Sequence, residues 1–201
     1  MTTRLDRAGA IEALASGAIV ALASDTVYGV GAAIAHPEAV ARLFRLKDRP
    51  TSVALPVILD DVATIASLAV TWSARAAALA DAYWPGALTI VVAADAAFAS
   101  LVGATSAVGL RVPDDETLRA IVAAVGPIAF TSANRHGEAP CTSAAAVLAA
   151  FAGDDALAGV LDGGERSGAV SSVVDVTTEP WRLVRAGAIP LDELARVLGP
   201  R

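Results

Sequence analysis

At 201 residues, 55% of them hydrophobic and with a net charge of −6, the chain has room for one domain with a substantial core; two small domains are the alternative. Much of the apolar fraction is alanine, and no segment offers the roughly 18–20 uninterrupted apolar residues a membrane span needs. The acidic balance argues against a broad basic surface for nucleic acid, yet it leaves room for a small basic pocket for a nucleotide.

In chain order, Met1 to Arg7 carries charge with no apolar stretch directly behind it, so no signal peptide is read, and the expectation is a soluble, cytoplasmic protein. Asp6 to Ala15 is helical in pattern and Gly17 is its stop. Ala18 to Ala23 is an apolar run of strand length that leads into the polar cluster Ser24-Asp25-Thr26. Pro37 fits the first turn of a helix through Leu46, with Val40, Leu43 and Phe44 on one face. Leu55 to Leu59 reads as a buried strand. Asp60 or Asp61 then caps a helix to about Leu68, and a second helix spans Ser73 to Tyr83.

Strands follow at Ala87 to Ala94 and Val108 to Val112. Asp114 or Asp115 caps a helix ending near Gly126. Ile128 to Thr131 is a strand and Ser143 to Phe151 a helix. Strand-like runs at Gly159 to Leu161, Ser172 to Val176 and Arg182 to Val184 precede a final helix, Leu191 to Leu198. Strands alternating with helices and a strand-rich C-terminal part predict an α/β domain around a mixed twisted sheet.

Two clusters stand out. Lys47-Asp48-Arg49 ends a helix, and Ser132-Ala133-Asn134 follows the apolar run Gly126 to Thr131; they lie 85 positions apart (132 minus 47). On an extended or loop backbone, a Lys and an Arg two apart face the same way. Two cations beside a hydroxyl and an amide suit a polyanion such as a nucleotide triphosphate. The plainer reading of Lys47 and Arg49 is complementation of a helix C-terminus, with Pro50 as the stop. Ser24 to Gly31 follows a strand, where open α/β sheets bind ligands; a cap or turn explains its hydroxyls equally well. Arg111 sits inside an apolar strand and so needs an anion or an ion-pair partner.

Cys141 is the single cysteine, so neither an intramolecular disulfide nor a cysteine zinc cluster is available. His36 and His136 lie far apart and fit no metal-ligand spacing. A Cys141–His136 nucleophile pair has no evident third group to orient it.

Taken together, these residues resemble the TsaC/YrdC type of threonylcarbamoyl-AMP synthase. Ala23 to Gly31, Lys47 to Pro50, Trp84 to Thr89, Arg111 to Pro113, Ser132 to Asn134, Ser171 to Asp175 and Arg185 to Gly187 match that family's motifs in order, over roughly residues 10–190. Three departures are visible. Ala23-Ser24 stands for Pro-Thr, Val53-Ala54 for Lys-Pro, and Ser172 for Thr.

The resemblance implies a YrdC-like twisted mixed sheet flanked by helices, with a large, positively lined concave cavity. The implied reaction joins L-threonine, bicarbonate and ATP, with Mg2+ accompanying ATP and no permanently bound cofactor or protein metal site. It yields threonylcarbamoyl-AMP and pyrophosphate, for N6-threonylcarbamoyladenosine in tRNA. The expected partners are the downstream tRNA threonylcarbamoyl transferase proteins. By resemblance, Lys47 and Arg49 are catalytic and bind nucleotide together with Ser132, Asn134, Ser172 and Arg185. Ser24, Thr26, Tyr28 and Arg111 form the threonine pocket. The chain is expected to be the family's single-domain form, without the C-terminal domain of longer members. The rival readings are a non-catalytic paralogue binding nucleotide, double-stranded RNA or tRNA, and carbamoyl transfer as in hydrogenase-maturation proteins.

Overall fold

The computed structural model describes residues 3–50, 53–135, 137–167 and 169–199. Ten strands form one mixed sheet: β1 (Thr3–Leu5), β2 (Ile19–Ala23), β3 (Tyr28–Ala33), β4 (Val57–Ile58), β5 (Leu88–Ala93), β6 (Ala107–Arg111), β7 (Ile128–Ser132), β8 (Leu157–Leu161), β9 (Ser172–Asp175) and β10 (Arg182–Arg185). Their spatial order is β1-β8-β2-β3-β7-β4-β6-β5-β9-β10. Seven α-helices accompany them: α1 (Arg7–Ala15), α2 (Pro37–Leu46), α3 (Ala74–Tyr83), α4 (Ala96–Leu101), α5 (Glu116–Val125), α6 (Ala144–Ala150) and α7 (Leu191–Leu198).

The helices start where short oxygen-bearing side chains cap free N–H groups. Asp6 accepts from Gly9, Ser73 from Ala76, Asp95 from Ala97, Asp115 from Leu118 and Ser143 from Ala146. Each such cap contributes about 1 kcal/mol. Asp61 caps a 3-10 turn, Val62–Ser67, in place of the α-helix expected there.

Side-chain alternation along the strands builds two apolar layers. Ile19, Ala21 and Ala23 of β2 join the larger one, with Leu43 of α2, Leu79 of α3, Phe98 of α4, Val147 of α6 and Leu194 of α7. Val20 and Leu22 face the other way and pack with Leu14 of α1 and Leu118, Ile121 and Val122 of α5. α1 and α5 therefore cover the second face from β1 and β8 across β2, β3 and β7, with Ile58 of β4 at the margin of that layer.

Four elements differ from the sequence expectation. β3 occupies part of the Ser24 to Gly31 segment, for which a ligand-facing turn or cap is the expectation; Gly29 and Gly31 lower its strand propensity. Their role is steric: a Cβ on Gly29 would lie 2.2 Å from the Phe130 ring, so glycine lets that ring lie flat on the strand. α4 and β1 are short segments whose periodicity is too brief to read. The expected strand at Leu55 to Leu59 narrows to the two residues of β4. No helix among the described residues is long and apolar enough to cross a membrane.

Candidate active site

The strand registers gather the polar residues. Ile58 pairs with Arg111 and with Ile128, and Val173 pairs with Thr89 and Arg185. Paired residues share a face, so Ile58, Thr89, Arg111, Phe130 and Arg185 all point to the side that α1 and α5 leave open past β7. A cleft of about 130 Å³ lies there, roofed by the Ser24–Val27 turn, Arg49 and Val170-Ser171. The site lies on an uncovered sheet face, whereas strand-end logic had placed it beyond the strand tips.

Three arginines line the cleft. Arg111 is buried and donates to Asp25 Oδ1 at 2.6 Å, Thr26 Oγ1 at 3.3 Å and the Gly86 carbonyl at 2.9 Å. It already has its anion within the chain, so it braces the Ser24–Val27 turn. Arg185 donates to the carbonyl and hydroxyl of Ser171, and Ser171 Oγ also meets Thr89 Oγ1 at 3.1 Å. Arg49 is held by the carbonyls of Val53 at 2.7 Å and Ala54 at 2.8 Å. Neither Arg49 nor Arg185 has a carboxylate partner among the described residues.

Burial holds all three guanidiniums below the usual arginine range. Arg185 adds to that effect on Arg49, and Arg111 adds to it on Arg185; Asp25 opposes it at Arg111. Arginine stays charged throughout. The cleft is thus a row of mutually repelling cations that an anion would relieve.

Beside the cleft stands Lys47, the one lysine in the sequence. It follows the last turn of α2, and Asp48, at φ 50°, turns the chain through the left-handed region. The Arg49 N–H closes the helix end on the Phe44 carbonyl at 3.0 Å. Lys47 therefore leaves a helix terminus and not an extended segment, so the alternation argument for its facing Arg49 does not apply. The ammonium is nevertheless buried, at 2% exposure. It donates to the Ser132 carbonyl and, at 2.9 Å, to Asn134 Oδ1. Burial first, and Arg49 second, pull it down to about 8. A structural helix-terminal lysine would snorkel to water; this one points inward.

Asn134 fixes that geometry. Its Oδ1 accepts from Lys47 and, at 2.6 Å, from Ser132 Oγ; its Nδ2 donates to the carbonyls of Arg135 at 2.7 Å and Glu138 at 2.9 Å. Both ends of the amide are occupied, so Asn134 orients Lys47 and has no bond left for a nucleotide.

The remaining expected residues divide. Ser24 and Thr26 line the cleft, though the Ser24 hydroxyl is bonded to Thr26 Oγ1 at 2.9 Å and to the Val27 carbonyl at 2.7 Å. Tyr28 precedes Gly29, which pairs with Ser132, and so faces the opposite side. Its hydroxyl donates to the Gly164 carbonyl at 2.8 Å and accepts from the Gly163 N–H at 2.9 Å. Ser172 is buried and grips Ile189 through both its N–H and carbonyl. Neither Tyr28 nor Ser172 lines the cleft. Ser171, Thr89 and Thr131 do, and the sequence reading did not assign them. The alternation of β9 puts its neighbour on the buried side and Ser171 toward the cleft.

The Cys141 thiol is buried and pushed up by that burial, which disfavours a nucleophilic thiolate. His136, its suggested partner, lies outside the described residues, as does Gly168. A second cavity, about 550 Å³ between α2 and α4, has a mainly apolar wall and shares Arg49 with the cleft. A small cationic cleft thus adjoins a larger, mainly apolar recess, and Arg49 lines both.

The mixed α/β sheet thus carries a cationic cleft with an inward-pointing lysine beside it. The family model Sua5/YciO/YrdC, described as Telomere recombination, matches residues 12–187, and the chain belongs to that family. A threonylcarbamoyl-AMP synthase of Pyrococcus abyssi is 36% identical over 91% of this chain and 54% of its own length. A Mycobacterium leprae relative is 36% identical over 96% of this chain and 87% of its own length. The structure of P. abyssi Sua5 complexed with L-threonine superposes with a TM-score of 0.89 at 32% identity, covering 99% of this chain and 60% of that one. The chain thus spans little more than half of the P. abyssi protein.

Proposed function

We propose that this chain is an L-threonylcarbamoyladenylate synthase of the cytoplasm, a nucleotidyltransferase that supplies tRNA modification. The observation that carries the reading is Lys47: a buried ammonium with two neutral acceptors and no carboxylate partner among the described residues, beside a cleft whose cations repel one another. Such a group is costly unless an anion arrives, and a triphosphate is a fitting one.

In the proposed reaction the threonine amine attacks carbon dioxide and releases a proton, or attacks bicarbonate and its proton leaves with the hydroxide as water; either gives the carbamate. A carbamate oxygen then attacks the α-phosphorus of ATP. The bond to the β-phosphate bridging oxygen breaks, and pyrophosphate leaves with that electron pair. Negative charge concentrates on the phosphorus oxygens, so the protein's task is positioning and neutralisation.

On this reading, Lys47 and Arg49 face the phosphate and carbamate oxygens, and Ser132 and Arg185 bind phosphate. Asn134 aims Lys47. Ser24 and Thr26 contribute to the threonine pocket, Arg111 braces it, and Thr131 and Ser171 complete its polar wall. The P. abyssi Sua5 complex with L-threonine supports that amino acid as the substrate. The cleft wall carries arginines and hydroxyls with no carboxylate among the described residues, which favours magnesium arriving as part of the ATP complex. The threonylcarbamoyl-AMP product then passes to tRNA threonylcarbamoyl transferase proteins.

The test is mass-spectrometric detection of threonylcarbamoyl-AMP from purified protein with ATP, magnesium, bicarbonate and L-threonine. The adduct is expected from the natural chain and absent from Lys47→Ala. Its absence from natural protein that is folded and binds ATP would refute the proposal.

A further inference from the structure

Lys47 and Asn134 lie on segments that share no strand pairing. Lys47 leaves α2, and Asn134 sits in the turn after β7. The ammonium is aimed at the amide only while both segments hold their places. One side chain ties the two segments together directly. Arg135 Nη1 donates to the carbonyl of Leu46, the residue before Lys47, at 2.8 Å. Its backbone carbonyl accepts from Asn134 Nδ2 at 2.7 Å. Its other guanidinium nitrogen meets Asp154 Oδ2 at 3.1 Å, and the guanidinium stacks 5.1 Å from the centre of the Phe151 ring. Asp48 Oδ2 lies 4.0 Å from the same Nη1.

We propose that Arg135 is a positioning residue, fixing the α2 terminus against the turn after β7 so that Lys47 and Asn134 meet. The guanidinium is well suited to the task. Its planar fork satisfies a helix-terminal carbonyl and a carboxylate at once, while the ring beneath fixes its plane. It also complements the negative end of α2. A lysine there could answer one carbonyl or the carboxylate, but not both in a fixed plane. Arg135 lines neither the cleft nor the apolar recess, so its influence on chemistry runs through Lys47. The kinetic part of this proposal rests on the synthase reading; the positioning part does not.

Because Lys47 is the single lysine, ε-carbon-13 lysine labelling gives one side-chain resonance, and its titration reports the environment of that ammonium directly. The charged or titratable neighbours that bear on it are Arg49 and Cys141; Arg135 acts on where the ammonium sits. In Arg135→Ala the α2 terminus is freed and the ammonium gains water. Its midpoint is expected to rise from about 8 by about one unit or more toward the ordinary lysine value. Threonine-dependent turnover is expected to fall about tenfold or more in kcat, with KM for threonine nearly unchanged. Arg135→Lys is expected to recover part of the loss, its added lysine titrating separately near the ordinary value. Should Arg135→Ala not fold, Asp154→Asn removes the ionic partner while keeping Arg135, and is expected to shift the same titration in the same direction, less far. An unmoved Lys47 titration in a folded variant would overturn the proposal. Absence of turnover in the natural protein would instead count against the synthase reading, while the titration would still decide the role of Arg135.

Discussion

Lys47 and Asn134 are 87 positions apart in the chain, and Lys47 Nζ lies 2.9 Å from Asn134 Oδ1. The contact joins a helix terminus to a strand terminus and turns two weak sequence signals into one directed cation. Because Nδ2 is held by the carbonyls of Arg135 and Glu138, the amide cannot flip without breaking two bonds. Asn134→Ala is expected to leave the fold intact and lower kcat/KM by about 10²-fold, the scale of a misaimed catalytic group. Asn134→Asp keeps the acceptor, loses both donors and pairs its charge with Lys47. It is expected to be no more active than the alanine variant in steady-state pyrophosphate release.

The Lys47 titration has consequences for both activity and stability. Its folded value, about 8, lies below the ordinary 10.5. Activity that needs the ammonium is expected to fall as pH rises through about 8 in the free enzyme. Stability moves the other way. Between about pH 8 and 10.5 the unfolded chain binds the proton that the folded chain has released, so stability rises with pH there. Chemical denaturation at pH 7.5 and 9.5 measures this, and Lys47→Met is expected to remove that lysine-dependent rise.

The Asp25–Arg111 pair, at 2.6 Å and with both side chains largely buried, is the internal brace of the cleft. Asp25→Ala leaves a buried guanidinium without its anion. The expected cost is about 3–5 kcal/mol of folding stability, read from denaturant midpoints. Asp25→Asn keeps a hydrogen-bond acceptor and is expected to cost less.

Two glycines define cleft walls through what a side chain would strike. A Cβ at Gly29 would lie 2.2 Å from Phe130, and one at Gly187 would lie 2.4 Å from the Ser171 backbone. Gly29→Ala is expected to destabilise by about 1–3 kcal/mol through overpacking. Gly187→Ala should push the Arg185 segment away from Ser171, weakening ATP binding in calorimetry more than it lowers the melting temperature.

Much of the fold was legible because amphipathic periodicity and caps are local. The α2 stripe of Val40, Leu43 and Phe44 is buried as read, and Asp6, Ser73 and Asp115 cap the helices they precede. β3 was missed because its glycines answer a tertiary demand, the Phe130 ring, that no local pattern carries. In the site, the motif residues converge, but their individual contacts depend on register. Tyr28 and Ser172 fall on the far side of the alternation from the cleft, and Ser171 falls on the near side. Arg111 was read as needing an anion, and it has one in Asp25, next to the Ser24 and Thr26 hydroxyls. One signal went unread: a chain that uses arginine everywhere else keeps a lysine only at position 47. A compact ammonium fits where a planar guanidinium would not.

The most direct test of the central claim is pyrophosphate release by the purified protein with ATP, magnesium and bicarbonate, measured with and without L-threonine. The account predicts release that requires threonine and disappears in Lys47→Ala and Arg49→Ala. Release independent of threonine, or none from folded protein that binds ATP, would contradict it.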